Sequence, residues 1–103
     1  EEMKTCNNKC INSIINVIRT HLHNYSEAGY MYGSFLTDPN SDRDIDILVI
    51  ANPNRIQLIW SRILMLMEAI GCLIHPVIIS HKEFKSNYLF GKIAKSGIVM
   101  WEK

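Results

Sequence analysis

Residues 33–50 read Gly33-Ser34-Phe35-Leu36-Thr37-Asp38-Pro39-Asn40-Ser41-Asp42-Arg43-Asp44-Ile45-Asp46-Ile47-Leu48-Val49-Ile50. Asp44 and Asp46 head an apolar run, and a strand sends alternate side chains to one face, so the two carboxylates share a face. Placed together at the mouth of a buried strand, they repel each other and lose hydration. A bound cation relieves both penalties, and hard oxygen donors of this kind suit magnesium or manganese. The Gly33-Ser34 pair adds a turn where backbone N–H groups and a hydroxyl can approach an anion without a side chain in the way. A phosphate-binding turn beside a metal-holding carboxylate pair is equipment for a nucleoside triphosphate. In-line phosphoryl or nucleotidyl transfer needs mainly alignment and charge neutralisation, which such a site supplies.

These residues must be positioned by a scaffold, and hydrophobic periodicity outlines one. Residues 7–24 predict a helix, with Cys10, Ile14, Ile15, Val17, Ile18 and Leu22 at helical spacing and Asn7 or Asn8 as its cap. Tyr30-Met31-Tyr32 predicts a short strand ending at Gly33, and residues 37–43 a loop with strong turn chemistry around Pro39. Asp44 to Ala51 predicts the longest strand, apolar on both faces below the aspartates and therefore central in a covered sheet. A second helix runs from Pro53 to about Ala69, carrying Ile56, Ile59, Trp60, Ile63, Leu64, Met67 and Ile70, with Gly71 as its stop. In it, Met65-Leu66-Met67 reads as core or subunit contact, which leaves a homo-oligomer open.

Residues 72–80 predict a further strand, with Pro76 marking an edge or a bulge. Ser80 and Glu83 form a capping box for a third helix reaching Ser96 with Phe84, Tyr88, Leu89, Phe90 and Ile93, and Ile98 to Trp101 makes a last strand. The order predicts an α/β (α+β) chain, a small mixed sheet with helices packed on it, as one domain spanning residues 1–103.

Composition narrows the function classes. With 48% apolar residues and a formal net charge of +1, the chain suits a soluble globular protein and gives no basis for strong non-specific nucleic-acid binding. No apolar stretch approaches a bilayer's thickness, and Glu1-Glu2-Met3-Lys4 is no signal peptide. Three cysteines (Cys6, Cys10 and Cys72) predict reduced, partly buried thiols and a cytoplasmic setting rather than a disulfide framework or a zinc site. Lys82, Lys85, Lys92 and Lys95 read as a solvated helix face.

Gly33-Ser34, nine intervening residues and then Asp44-Ile45-Asp46-Ile47-Leu48-Val49 resemble the signature of the DNA-polymerase-β-like nucleotidyltransferase superfamily. The chain's length and its ending, Pro76-Val-Ile-Ile-Ser through Glu83-Phe84 to Gly97-Ile98-Val99-Met100-Trp101-Glu102, resemble its minimal nucleotidyltransferase (MNT) family. The resemblance implies the polymerase-β palm-like fold and magnesium-dependent transfer of a nucleoside monophosphate, AMP from ATP, to a hydroxyl. Gly33 and Ser34 would hold the β,γ-phosphates, and Asp44 and Asp46 would be catalytic metal ligands. It further implies a helical HEPN-domain partner in a toxin–antitoxin pair, where MNT proteins adenylylate a tyrosine of the toxin.

The family's third carboxylate, on the adjacent strand, has no counterpart in Leu73 to Ser80, where His75 or Val77 takes its place. His75 is then the candidate base, and Asp42 a further acid if the strand starts early. The alternative is a nucleotide-binding or partner-binding module whose chemistry was weakened with that acid.

Overall fold

The computed structural model describes residues 11–38 and 44–103. At its centre is β2 (Ile45–Ile50), inside a four-stranded mixed sheet with β1 (Ala28–Tyr32), β3 (Ile74–Ile79) and β4 (Ile98–Glu102). The strand order is β3-β2-β1-β4. β2 runs parallel to β3 and antiparallel to β1, and β1 runs antiparallel to β4.

The two apolar faces of β2 explain that position. Ile45, Ile47 and Val49 pack into one core with α1 (Ile11–Leu22) and α3 (Ile56–Ile70), through Ile14, Ile18, Leu22, Ile59, Ile63 and Leu66. Leu48 and Ile50 join a second core on the other face, with Tyr30 and Ile79. That side is covered by Phe84 of α4 (His81–Ser86) and by Phe90, Ile93 and Ala94 of α5 (Tyr88–Ser96). A strand buried on both sides cannot be solvated on either, so the sheet must be sandwiched. Arg62 fastens α3 to α1 by donating to the His21 carbonyl at 3.2 Å and lying over the Tyr25 ring.

Element order and type follow the periodicity, and three details differ. The third helix is two helices, because the Asn87 side chain accepts from the Leu89 N–H and starts a new cap; Tyr88 and Leu89 consequently face solvent. In α3, Ile59, Ile63 and Leu66 are buried while Trp60, Leu64 and Met65 are exposed, because one side alone of that helix meets the sheet. Cys72 is disulfide-bonded, which corrects the expectation of three reduced thiols. The capping box of Ser80 and Glu83 and the edge position of Pro76 in β3 are as the sequence suggests. Cys6, Cys10, Asn7, Asn8, Asp42 and Arg43 lie outside the described residues. Among the described residues no helix is long and apolar enough to cross a membrane.

β4 closes the sheet by an irregularity. Gly29 pairs with Trp101 and Tyr30 with Val99, so Met100 is an extra residue on β4. Such a bulge lets two consecutive side chains point the same way, and Met100 and Trp101 both enter the core shared with α1. Trp101 donates its indole N–H to the Ser26 hydroxyl at 3.1 Å, and its ring lies on Gly29. A Cβ on Gly29 would stand 2.3 Å from that ring, whereas one on Gly91 of α5 would meet nothing within 4 Å. Gly29→Ala is therefore expected to destabilise the chain by about 1–3 kcal/mol through overpacking. Gly91→Ala is expected to stabilise it by roughly 0.5–1 kcal/mol, as a helix-interior glycine replaced. Urea unfolding of the two variants checks the opposite signs.

Candidate active site

The β1–β2 hairpin assembles the site. Its antiparallel register places Tyr32 opposite Asp46, so the residues following β1 arrive at the head of β2. Gly33 follows with φ of +90°, a backbone conformation that L side chains rarely adopt. It caps α2 (Ser34–Thr37), a single turn closed by the Leu36 N–H donating to the Gly33 carbonyl and the Asp38 N–H to the Ser34 carbonyl. Phe35 anchors this turn, fully buried against the α1 side of the sheet. The apolar Phe35-Leu36 pair between polar neighbours was the available signal for that anchor.

The glycine and the carboxylate meet directly. A Cβ on Gly33 would lie 2.3 Å from Oδ2 of Asp46. Glycine is needed here twice over, for its backbone angle and for the space that the Asp46 carboxylate occupies. Two residues thirteen positions apart in the chain thus form one corner.

β3 supplies the third member. Its parallel register aligns His75 with Asp46, and His75 Nδ1 lies 3.2 Å from Asp46 Oδ1. With the proton on Nδ1 the ring donates to the carboxylate. The His75 side chain is 68% exposed and that of Asp46 25%, so the pair opens to solvent. His75, not Val77, therefore takes the place beside the aspartate.

Tyr32, which the sequence places only in the first strand, is a fourth member. Its phenol is pushed above its ordinary pKa of 10.0, first by burial and then by the charge of Asp46. Tyr30 turns elsewhere, stacking on Phe84 and donating to Glu102 at 2.8 Å. Its phenol is raised to about 12 by burial first and by that hydrogen bond second.

Asp44 stands exposed, one residue ahead of β2. Among the described residues no three His, Cys, Asp or Glu side chains come together in a metal-holding group. The structure thus joins Gly33, Asp46, His75 and Tyr32, with Ser34 next to Gly33 in the turn, and leaves Asp44 at the rim. An Asp46 carboxylate within 3.2 Å of an imidazole nitrogen and open to solvent is a donor pair that a divalent ion could use, its other ligands coming from substrate oxygens and water. Lys82, Lys85, Lys92 and Lys95 are all exposed on α4 and α5.

Neither a protein-family model nor a curated protein matches the sequence. Solved structures do match the fold. One is a crystal structure of the toxin–antitoxin MntA–HpeT, in a mutant with two aspartates, two positions apart, replaced by glutamate. It matches 92% of this chain and 75% of its own with a TM-score of 0.55 at 18% identity. The two chains share a fold. A second structure, of a protein from Shewanella oneidensis, covers 89% of this chain and 73% of its own at 20% identity, with a TM-score of 0.47.

Asp46→Asn removes the charge that helps keep the Tyr32 phenol neutral, so Tyr32 is expected to ionise at a lower pH than in the native chain. Because burial is the larger cause, its titration should remain above 10.0. Alkaline titration by NMR of ring-labelled tyrosines, with Tyr32→Phe to assign the resonance, reads the shift. An unchanged Tyr32 titration would contradict the placement of that carboxylate.

Proposed function

We propose that the chain is a nucleotidyltransferase-type domain of the minimal nucleotidyltransferase kind, which transfers a nucleoside monophosphate, AMP from ATP, to a hydroxyl acceptor. The observation that carries this reading is the contact of Gly33 with Asp46. The two halves of the sequence motif, distant in the chain, form one corner, in a fold shared with the MntA–HpeT structure.

The roles follow from the chemistry of each residue. The Gly33-Ser34 turn receives the phosphate tail, glycine leaving room and serine donating its hydroxyl. Asp44 and Asp46 would hold a divalent cation, magnesium or manganese. That ion, when bound, neutralises charge on the phosphates and polarises the reacting phosphorus. Asp46 is kept in place by its packing on Gly33 and its hydrogen bond with His75. The exposed His75 ring would take the proton of the acceptor hydroxyl. The acceptor oxygen bonds to the α-phosphorus as the bond to the pyrophosphate leaving group breaks.

A protein partner would supply the acceptor hydroxyl. By the family resemblance that partner is a HEPN-domain toxin and the chain its antitoxin. One observation favours a second reading. The position in register with Asp46 on β3 is a histidine where the family has an acid. A chain that binds the triphosphate or its partner without turnover is the outcome if His75 does not serve as the base.

Isothermal titration calorimetry with a non-hydrolysable ATP analogue and Mg2+ or Mn2+ tests the proposal. Native protein should bind, and Asp44→Asn combined with Asp46→Asn should weaken binding by at least about tenfold, or ~1.4 kcal/mol. Equal binding by native protein and the double variant, or none by either, would sink both nucleotide readings. Binding without transfer of labelled AMP to a co-expressed partner would select the second.

A further inference from the structure

The Asp46–His75 pair has a property that two carboxylates would not have. A pair this exposed contributes little to stability, since ion pairs and hydrogen bonds in contact with water are worth roughly 0–1 kcal/mol. The fold does not need it, yet the register of β2 with β3 aligns the two residues, and the side chains meet. The pair also sits at the one place where the Gly33 turn, the head of β2 and the head of β3 converge.

The separation of the donor atoms is informative. Nδ1 and Oδ1 are 3.2 Å apart. An ion about 2.1 Å from each donor would see them at about 100°, close to neighbouring corners of an octahedron. Ligation requires the ring to carry its proton on Nε2, leaving the Nδ1 lone pair for the ion; the single hydrogen bond is exchanged for two metal–ligand bonds. Remaining positions fall to triphosphate oxygens and water, as is usual for ions held by few protein ligands. That satisfies the observation that no third carboxylate, cysteine or histidine side chain joins the pair among the described residues.

The donor set then decides the ion. Magnesium prefers oxygen ligands, whereas an imidazole nitrogen favours first-row transition ions, whose affinity rises from manganese towards zinc. We propose that Asp46 and His75 form a mixed carboxylate–imidazole clamp that selects a first-row transition ion over magnesium as the companion of the triphosphate. This rests on the reading of the corner as a triphosphate–metal site, sharpens which metal that site takes, and makes His75 a ligand in place of the base, with Asp44 left at the rim, as in the second reading above.

Electron paramagnetic resonance of Mn2+ tests it without reference to turnover. The native protein is titrated with Mn2+ in the presence of the non-hydrolysable ATP analogue, and Mg2+ and Zn2+ are added as competitors. Zn2+ should displace bound Mn2+ at lower concentration than Mn2+ itself, and Mg2+ only in large excess. Electron spin-echo spectra of protein labelled with 15N-histidine should show coupling to a 15N nucleus, which separates protein imidazole from adenine nitrogen. His75→Asp should abolish that coupling and bring Mg2+ close to parity, and His75→Ala should cut Mn2+ affinity by at least about tenfold, the scale on which even the hydrogen-bond partners of metal ligands act. His75 is exposed, so these substitutions leave the core untouched. Bound Mn2+ with no histidine coupling, displaced equally by Mg2+ in native and His75→Asp protein, would overturn the clamp while leaving the triphosphate site standing. No protein-bound Mn2+ with the analogue present would overturn both.

Discussion

The contact between the Gly33 backbone and the Asp46 carboxylate is the constraint on which the rest of this molecule depends. A carboxylate held against a main chain 2.3 Å from where a Cβ would be tolerates one residue type at position 33. The positive φ of Gly33 turns the chain off β1 into the single turn of α2, and buried Phe35 fixes that turn to the core. Because Tyr32 pairs with Asp46, the same contact fixes how the β1–β2 hairpin ends. A side chain at position 33 would displace Asp46 from its neighbours on both sides, Tyr32 and His75.

The scaffold holds this corner by burying everything behind it. β2 is packed on both faces, by α1 and α3 on one side and by α4 and α5 on the other. At its head Asp44 and Asp46 alone reach the surface, with Ile45 buried between them. The bulge at Met100 draws Met100 and Trp101 into one core, and Gly29 accepts the Trp101 ring. Glycine thus makes room on β1 twice, for an indole within the sheet and for a carboxylate at its end. Rigid strands carry Asp46 and His75, which suits a site whose work is alignment.

Much of this was legible in the sequence. The apolar run after Asp46 placed β2 at the centre, and Ser80 with Glu83 placed the start of α4. Pro76 marked β3 as an edge or a bulge, and β3 is an edge. Gly33, Asp46 and His75 were all singled out before their meeting was known. Burial side was harder to read, because an apolar side chain on α3 does not announce which arc faces the sheet; Trp60 and Leu64 face water while Leu66 is buried. The break at Asn87 was missed because helical spacing continues across it. Tyr32 was legible as a strand residue but not as a member of the site, because its neighbour across the hairpin depends on register, and a separation of fourteen positions from Asp46 does not fix that. The Cys72 bridge was not legible because three cysteines without a framework's spacing point to reduced thiols.

The central claim is that a triphosphate binds at the Gly33–Asp46–His75 corner. The chain offers a competing hollow at the opposite end of the parallel strands, a cavity of about 460 Å³ lined by Glu27, Asn52, Ser80, His81 and Lys82, and open α/β sheets often bind ligands at such strand ends. Amide chemical-shift mapping with a non-hydrolysable ATP analogue and a divalent ion separates the two directly. The account predicts the largest shifts at Gly33, Ser34, Asp46 and His75. Shifts concentrated at Asn52, Ser80 and Lys82, with the Gly33 corner unmoved, would contradict it.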